Sequence, residues 1–130
     1  MNKKDLWGDI EKTRLPTNPK KILKEQADAI GEKTKYVLRG RVIGTSETKG
    51  GRPSFKSALL IEAKKIDNYT YDLLLILYPL EMYPVKVHSF AHGKSYMCDT
   101  EEEFIEKLGE ILSSEEVMKT ISALVSQSTT

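Results

Sequence analysis

The stretch Tyr69–Tyr78 constrains this chain more than any other. Tyr69, Tyr71, Leu73, Leu75 and Leu77 fall on one side of an extended strand and Leu74, Ile76 and Tyr78 on the other, so its second half is apolar on both sides. Such a strand belongs inside a sheet with both faces covered. Helices would cover one face. The other would be closed by an N-terminal arm, by a curl of the sheet or by a second subunit, which makes dimerisation through a spare apolar face around Ile76 an expectation.

The flanking sequence builds the rest of that sheet. Tyr36, Leu38, Gly40 and Val42 alternate with Arg39 and Arg41 to give a strand with a basic outer side. The segment Ser46–Pro53 reads as a flexible hairpin tip, followed by a second strand in which Phe55, Ser57, Leu59, Ile61 and Ala63 alternate with Lys56, Glu62 and Lys64. Asp67-Asn68 turns the chain into the apolar strand. Pro79 and Pro84 then bracket a loop, Leu80-Glu81-Met82-Tyr83, expected to be exposed. Val85 and Val87 begin a fourth strand, which turns near His92-Gly93 into a fifth over Ser95–Cys98. None of these connections has room for a crossover helix, so the sheet is expected to be antiparallel in meander order.

Helices close both ends. Asn18-Pro19 is a cap followed by a residue with its φ already set, and Leu23, Ala27 and Ile30 repeat at helical spacing to about Lys33. Thr100 with Glu103 fits a capping box ahead of Phe104, Ile105, Leu108, Ile111 and Leu112. Ser113 with Glu116 repeats the pattern ahead of Val117, Met118, Ile121, Leu124 and Val125. The expected fold is α+β: an N-terminal helix, a five-stranded antiparallel curled meander, and two C-terminal helices. Residues 1–16 form an N-terminal arm before a single domain over 17–130. Leu6, Trp7, Ile10 and Leu15 give that arm more apolar content than an idle tail needs. The sole tryptophan, Trp7, would pack either across its own domain or on another subunit or partner.

Charge is divided unevenly. Up to Ile66 the chain holds sixteen Lys or Arg against eight Asp or Glu, and after it four against eleven, for a net +1. Part of the acidic excess sits at helix starts, where it complements the positive end of the helix dipole. The basic excess bears on partners. Arg39, Arg41, Lys56 and Lys64 project from neighbouring strands, with Lys49 and Arg52 at their ends, as candidate contacts to an anion or a nucleic acid. Few aromatic residues interleave with them to stack bases.

Bond-making chemistry finds little to work with. The chain has two histidines and one cysteine. His88, His92 and Cys98 fall near one predicted hairpin, yet their spacing matches no established zinc motif, and they are read as turn histidines and a half-buried thiol, with no metal and no cofactor. Lys49-Gly50-Gly51-Arg52 lacks the spacing of a phosphate-binding loop and opens no helix. A non-enzyme is expected. A lone cysteine excludes an internal disulfide, the N-terminus has no signal-peptide stretch, and no apolar run approaches the ~20 residues needed to span a bilayer, so the expectation is a cytoplasmic protein with no membrane partner.

The main functional expectation is therefore a non-catalytic protein-interaction module, regulatory, antitoxin-like or accessory, whose partner is another protein or a second copy of itself. Its candidate contacts are Trp7, Ile10, Ile76, Leu80, Met82 and Tyr83, because interfaces favour aromatic residues and methionine. Two alternatives stand beside it: nucleic-acid binding on the basic strands, and small-ligand sensing in a pocket between sheet and helices lined by Tyr69, Tyr71 and Tyr96.

Several fragments carry a resemblance: Ile22-Leu23-Lys24-Glu25-Gln26, Gly31-Glu32-Lys33-Thr34, Asn68-Tyr69-Thr70-Tyr71, Tyr83-Pro84-Val85, Glu102-Glu103-Phe104-Ile105 and Leu112-Ser113-Ser114-Glu115. Over residues 16–127 the chain resembles a functionally uncharacterised family of small bacterial soluble domains. The resemblance implies a self-contained bacterial cytoplasmic domain and brings no catalytic residues. The arm lies outside it.

Overall fold

A computed structural model describes residues 5–10 and 17–130. Its elements run α1 (Pro19–Lys33), β1 (Arg39–Lys49), β2 (Arg52–Ala63), β3 (Tyr69–Pro79), β4 (Val85–Ser89), β5 (Lys94–Cys98), α2 (Glu101–Leu112) and α3 (Glu115–Ser128). The five strands pair in sequence order, each antiparallel to the next. This is the α+β meander with flanking helices that the sequence pattern implies.

Local chemistry sets the helix ends. The Asn18 side chain accepts from the Lys21 amide at 2.8 Å, and Thr34 Oγ donates to the Ile30 carbonyl at 2.9 Å to close α1. Thr100 Oγ accepts from the Glu103 amide, and the Glu103 carboxylate accepts in return from the amide of Asp99. The cap of α3 is Ser114 rather than the expected Ser113. Ser113 ends α2 instead, donating its hydroxyl to the Gly109 carbonyl at 2.6 Å.

The first strand begins at Arg39 and not at Tyr36, which sits exposed in the turn after α1 at φ 63°, its amide bonded to the Gly31 carbonyl. Two further expectations about the strands need correction. The first hairpin is paired all the way to Lys49 opposite Arg52, so the flexible tip read over Ser46–Pro53 shrinks to Gly50-Gly51. Both glycines have positive φ (57° and 78°), as a two-residue hairpin turn requires, and that lets the ladder continue to the end. The second correction concerns β3. Leu59 lies opposite Leu74, but Leu60 lies opposite Asp72, which leaves Leu73 as an extra residue in a bulge. A bulge reverses the alternation downstream of it. Tyr69 and Tyr71 therefore share the side of Leu74, Ile76 and Tyr78, while Leu75 and Leu77 face away.

All three helices cover one side of the sheet. The core there includes Leu23 of α1, Leu38 of the bend that leads into β1, Leu59 and Ile61 of β2, Leu74 and Ile76 of β3, Val85 and Val87 of β4, and Phe104, Ile111 and Val117 of the C-terminal helices. Ile76 belongs to this core and has no exposed surface, so it is not a partner contact as expected. Among the described residues no helix is long and apolar enough to cross a membrane. Trp7 is 79% exposed, and Leu6 and Ile10 are exposed beside it. Leu15 and the rest of the arm lie outside the described residues.

Candidate interaction surface

Residues directly opposite in an antiparallel ladder share a face, so the register writes out the side of the sheet that the helices leave uncovered. One row reads Ile43, Ala58, Leu75, His88 and Ser95 across the five strands. The next reads Thr45, Lys56, Leu77, Lys86 and Met97. On the other flank of the first row Leu60 lies between Arg41 and Asp72. Leu75 and Leu77 are half-buried, Ile43 and Met97 are exposed, and Leu60 is buried although no helix lies over it. The result is an apolar band running obliquely over the sheet.

Cations border that band. The register places Arg39, Arg41, Lys49, Arg52 and Lys56 on this outer face, and Lys86 joins them from β4. Lys64 stands one residue past the end of β2, where with Arg39, Tyr36 and Glu62 it lines an open depression of about 660 Å³. Two of the cations are tied up locally: Arg41 meets Glu62 at 3.2 Å and Lys49 meets Glu47 at 3.4 Å. Exposed pairs of this type contribute at most about 1 kcal/mol and are easily exchanged. Lys56 and Lys86, on either side of Leu77, have no ion pair among the described residues. At the β4 end, His88 accepts or donates a hydrogen bond with Ser95 Oγ at 2.9 Å and meets the exposed Phe90 ring edge-on.

The loop after β3 differs from its sequence reading. Leu80 is exposed, but Met82 is half-buried at φ 79°, its amide bonded to the Pro79 carbonyl. Tyr83 turns inward, its ring edge-on to Phe104 with centroids 6.5 Å apart. The Tyr83 hydroxyl is buried with no hydrogen-bond partner among the described residues, and burial, followed by the charges of Glu101 and Cys98, pushes its pKa up to about 12. Of the contacts expected from this loop, Leu80 alone stands clear of the domain.

The scarce reactive side chains do not converge. His88 is on the outer face. His92, in the β4–β5 turn, bonds Ser89 Oγ at 2.7 Å and the Glu116 carboxylate at 3.2 Å. Cys98 is buried on the helix side, where burial raises its thiol pKa and keeps it protonated. The three tyrosines expected to line a ligand pocket are also apart from the cleft that exists. That cleft, about 300 Å³ between α1 and α3, is floored by Leu59, Ile61 and Leu73 and walled by Ile30, Met118 and Ile121. Tyr96 instead sits under the Lys107 ammonium, 4.3 Å from its ring centre. The outer band itself was missed in the sequence because the bulge exchanges the two sides of β3, and a doubled apolar residue such as Leu73-Leu74 is the one sign of it.

No family model, no curated protein and no solved structure matches this chain.

Proposed function

We propose that the chain is a non-catalytic interaction module, a regulatory, antitoxin-like or accessory subunit of a bacterial cytoplasm, which binds a protein partner on the outer face of its sheet. The observation that carries this reading is the row Lys56–Leu77–Lys86: an apolar side chain between two ammonium groups that have no ion pair among the described residues, on a face that no described element covers. Apolar area supplies the binding energy of an interface, and like-signed charge around it steers an oppositely charged partner and lowers affinity as salt rises. The partner that fits presents apolar side chains flanked by carboxylates. The buried thiol of Cys98, held in its protonated form, supports a role without thiol chemistry.

Affinity capture from the native host with the wild-type chain and with an Ile43→Lys, Lys56→Glu variant tests the reading. Ile43 and Lys56 are exposed, so the variant keeps the core intact. A protein held by the wild type and released by the variant supports the proposal; one held equally by both contradicts it.

A second reading rests on the same face, because Arg39, Arg41, Lys49, Arg52 and Lys56 lie together there. Such a surface fits the phosphate backbone of a nucleic acid. Titration of labelled single- and double-stranded oligonucleotides at low salt decides it. Binding that Lys56→Glu weakens favours this reading, and no binding removes it.

A further inference from the structure

A second apolar surface lies on the opposite side of the molecule. Between α1 and α2 runs a groove of about 680 Å³ lined by Ile22, Ile105, Leu108, Leu112 and Met118. Gln26, Lys33, Leu112 and Met118 also line the cleft between α1 and α3, so the two form one trough. Ile105 and Met118 are about half exposed on its walls. Gly109 also lines it. A glycine inside a helix weakens that helix, yet a Cβ here would meet nothing within 4 Å. No contact among the described residues explains the missing side chain; a side chain entering from outside would.

The trough begins at Thr17, where the N-terminal arm joins the domain. That arm carries Leu6, Trp7 and Ile10, all exposed, at the i, i+1, i+4 spacing that places three side chains on one face of a helical turn. The Asp5 carboxylate already accepts from the Trp7 amide at 2.9 Å, as the cap of such a turn does. Among the described residues, the apolar side chains Leu6, Trp7 and Ile10 of the arm stay in water and do not seat in the trough at its root. Asn18, before Pro19, is extended at φ −78°, ψ 151°, as a pre-proline residue tends to be, which carries the chain straight out of α1.

We propose that the trough receives the arm of a second copy of this chain, with Trp7 as the anchor and the exchange reciprocal about a two-fold axis. Each trough opens beside the root of its own arm, so two copies abutting near Thr17 exchange arms over a short distance. The seven residue steps from Ile10 to Thr17 span at most roughly 25 Å. Burying three apolar side chains from each arm against two troughs brings the interface to roughly the 1,200–2,000 Å² of a stable complex. The exchange is separate from the outer sheet face, and each can fail without the other.

Trp7 is the only tryptophan, so its emission reports the arm directly. The experiment combines light scattering with tryptophan emission and acrylamide quenching of the full chain over a dilution series, for the wild type and for Ile105→Lys, Met118→Lys and Ile43→Lys. All three positions are exposed, so each variant folds. The proposal expects a dimer with blue-shifted, quencher-protected emission that shifts to the red on dilution. Ile105→Lys and Met118→Lys each weaken the dimer at least about tenfold, and Ile43→Lys leaves it unchanged. Three results would overturn it: Trp7 fully open to quencher at every concentration, Trp7 shielded in a strict monomer, or a dimer that Ile43→Lys alone dissolves.

Discussion

A Cβ placed on Gly40 of β1 would lie 2.5 Å from the backbone of Ala27 in α1. Helix and strand therefore touch backbone to backbone at this point, and the closeness of α1 to the sheet depends on that glycine having no side chain. Neither group is a flexible side-chain end, so neither can swing aside. Gly40→Ala is predicted to cost about 3 kcal/mol, read as a lower urea midpoint with an unchanged slope. Gly109→Ala provides the contrast, since it meets open space and gains helix propensity: about 1 kcal/mol more stable, measured at a concentration that keeps the chain monomeric. Equal effects at the two sites would contradict the close approach of α1 to β1.

Tyr83 hides a hydroxyl with no partner among the described residues. Removing it without altering the ring relieves a desolvation cost, so Tyr83→Phe is predicted to stabilise the protein by about 1 kcal/mol in urea unfolding. The pH dependence carries a second signature. The folded pKa, about 12, lies above the ordinary value of 10.0, so the native state holds this proton more tightly than the unfolded chain does. Its contribution is complete below pH 10 and declines as pH rises toward 12. Wild-type stability should fall across that window, and Tyr83→Phe should remove part of the fall.

Cys98 is buried and held in its protonated form. Iodoacetamide at neutral pH should alkylate the native protein at least about a hundredfold more slowly than the same chain in urea, because reaction requires opening of the fold. Prompt alkylation of the native thiol, followed by mass spectrometry, would show an accessible thiolate and restore nucleophilic chemistry as a candidate.

Glu116 lies in the first turn of α3, where a bond to its own backbone amide and then the bond to His92 hold its carboxyl pKa below the ordinary 4.5. A depressed folded pKa contributes stability that is present above the unfolded value and lost as pH falls through the folded one. Acid unfolding below pH 4.5 should therefore be shallower in Glu116→Gln than in the wild type, measured by circular dichroism.

Much of this architecture was legible in the sequence because local signals and tertiary packing agree. Asn18-Pro19 and Thr100 with Glu103 cap the helices they announce, and the alternation holds through β2 and, from Arg39 onward, through β1. The reading failed where one inserted residue outweighed a pattern. Leu73 in its bulge reverses the faces of β3, so Ile76 is core and Leu75 and Leu77 are outer. Alternation alone cannot reveal a bulge, because the extra residue is fixed by its partner strand. Tyr83 failed for another reason: a loop between two prolines looks solvated, yet Phe104, twenty-one residues on, draws its ring inward. The basic face was legible, because Arg39, Arg41 and Lys56 depend only on the unbulged strands.

The central claim is that the uncovered face of the sheet, with Leu77 between Lys56 and Lys86, is where a partner binds. Lysine footprinting of the chain, alone and in complex with its captured partner, tests it most directly, with Lys21 and Lys24 on the exposed side of α1 as internal references. The prediction is that Lys56 and Lys86 lose reactivity in the complex while Lys21 and Lys24 keep theirs. A complex in which Lys56 and Lys86 stay as reactive as in the free chain would contradict it.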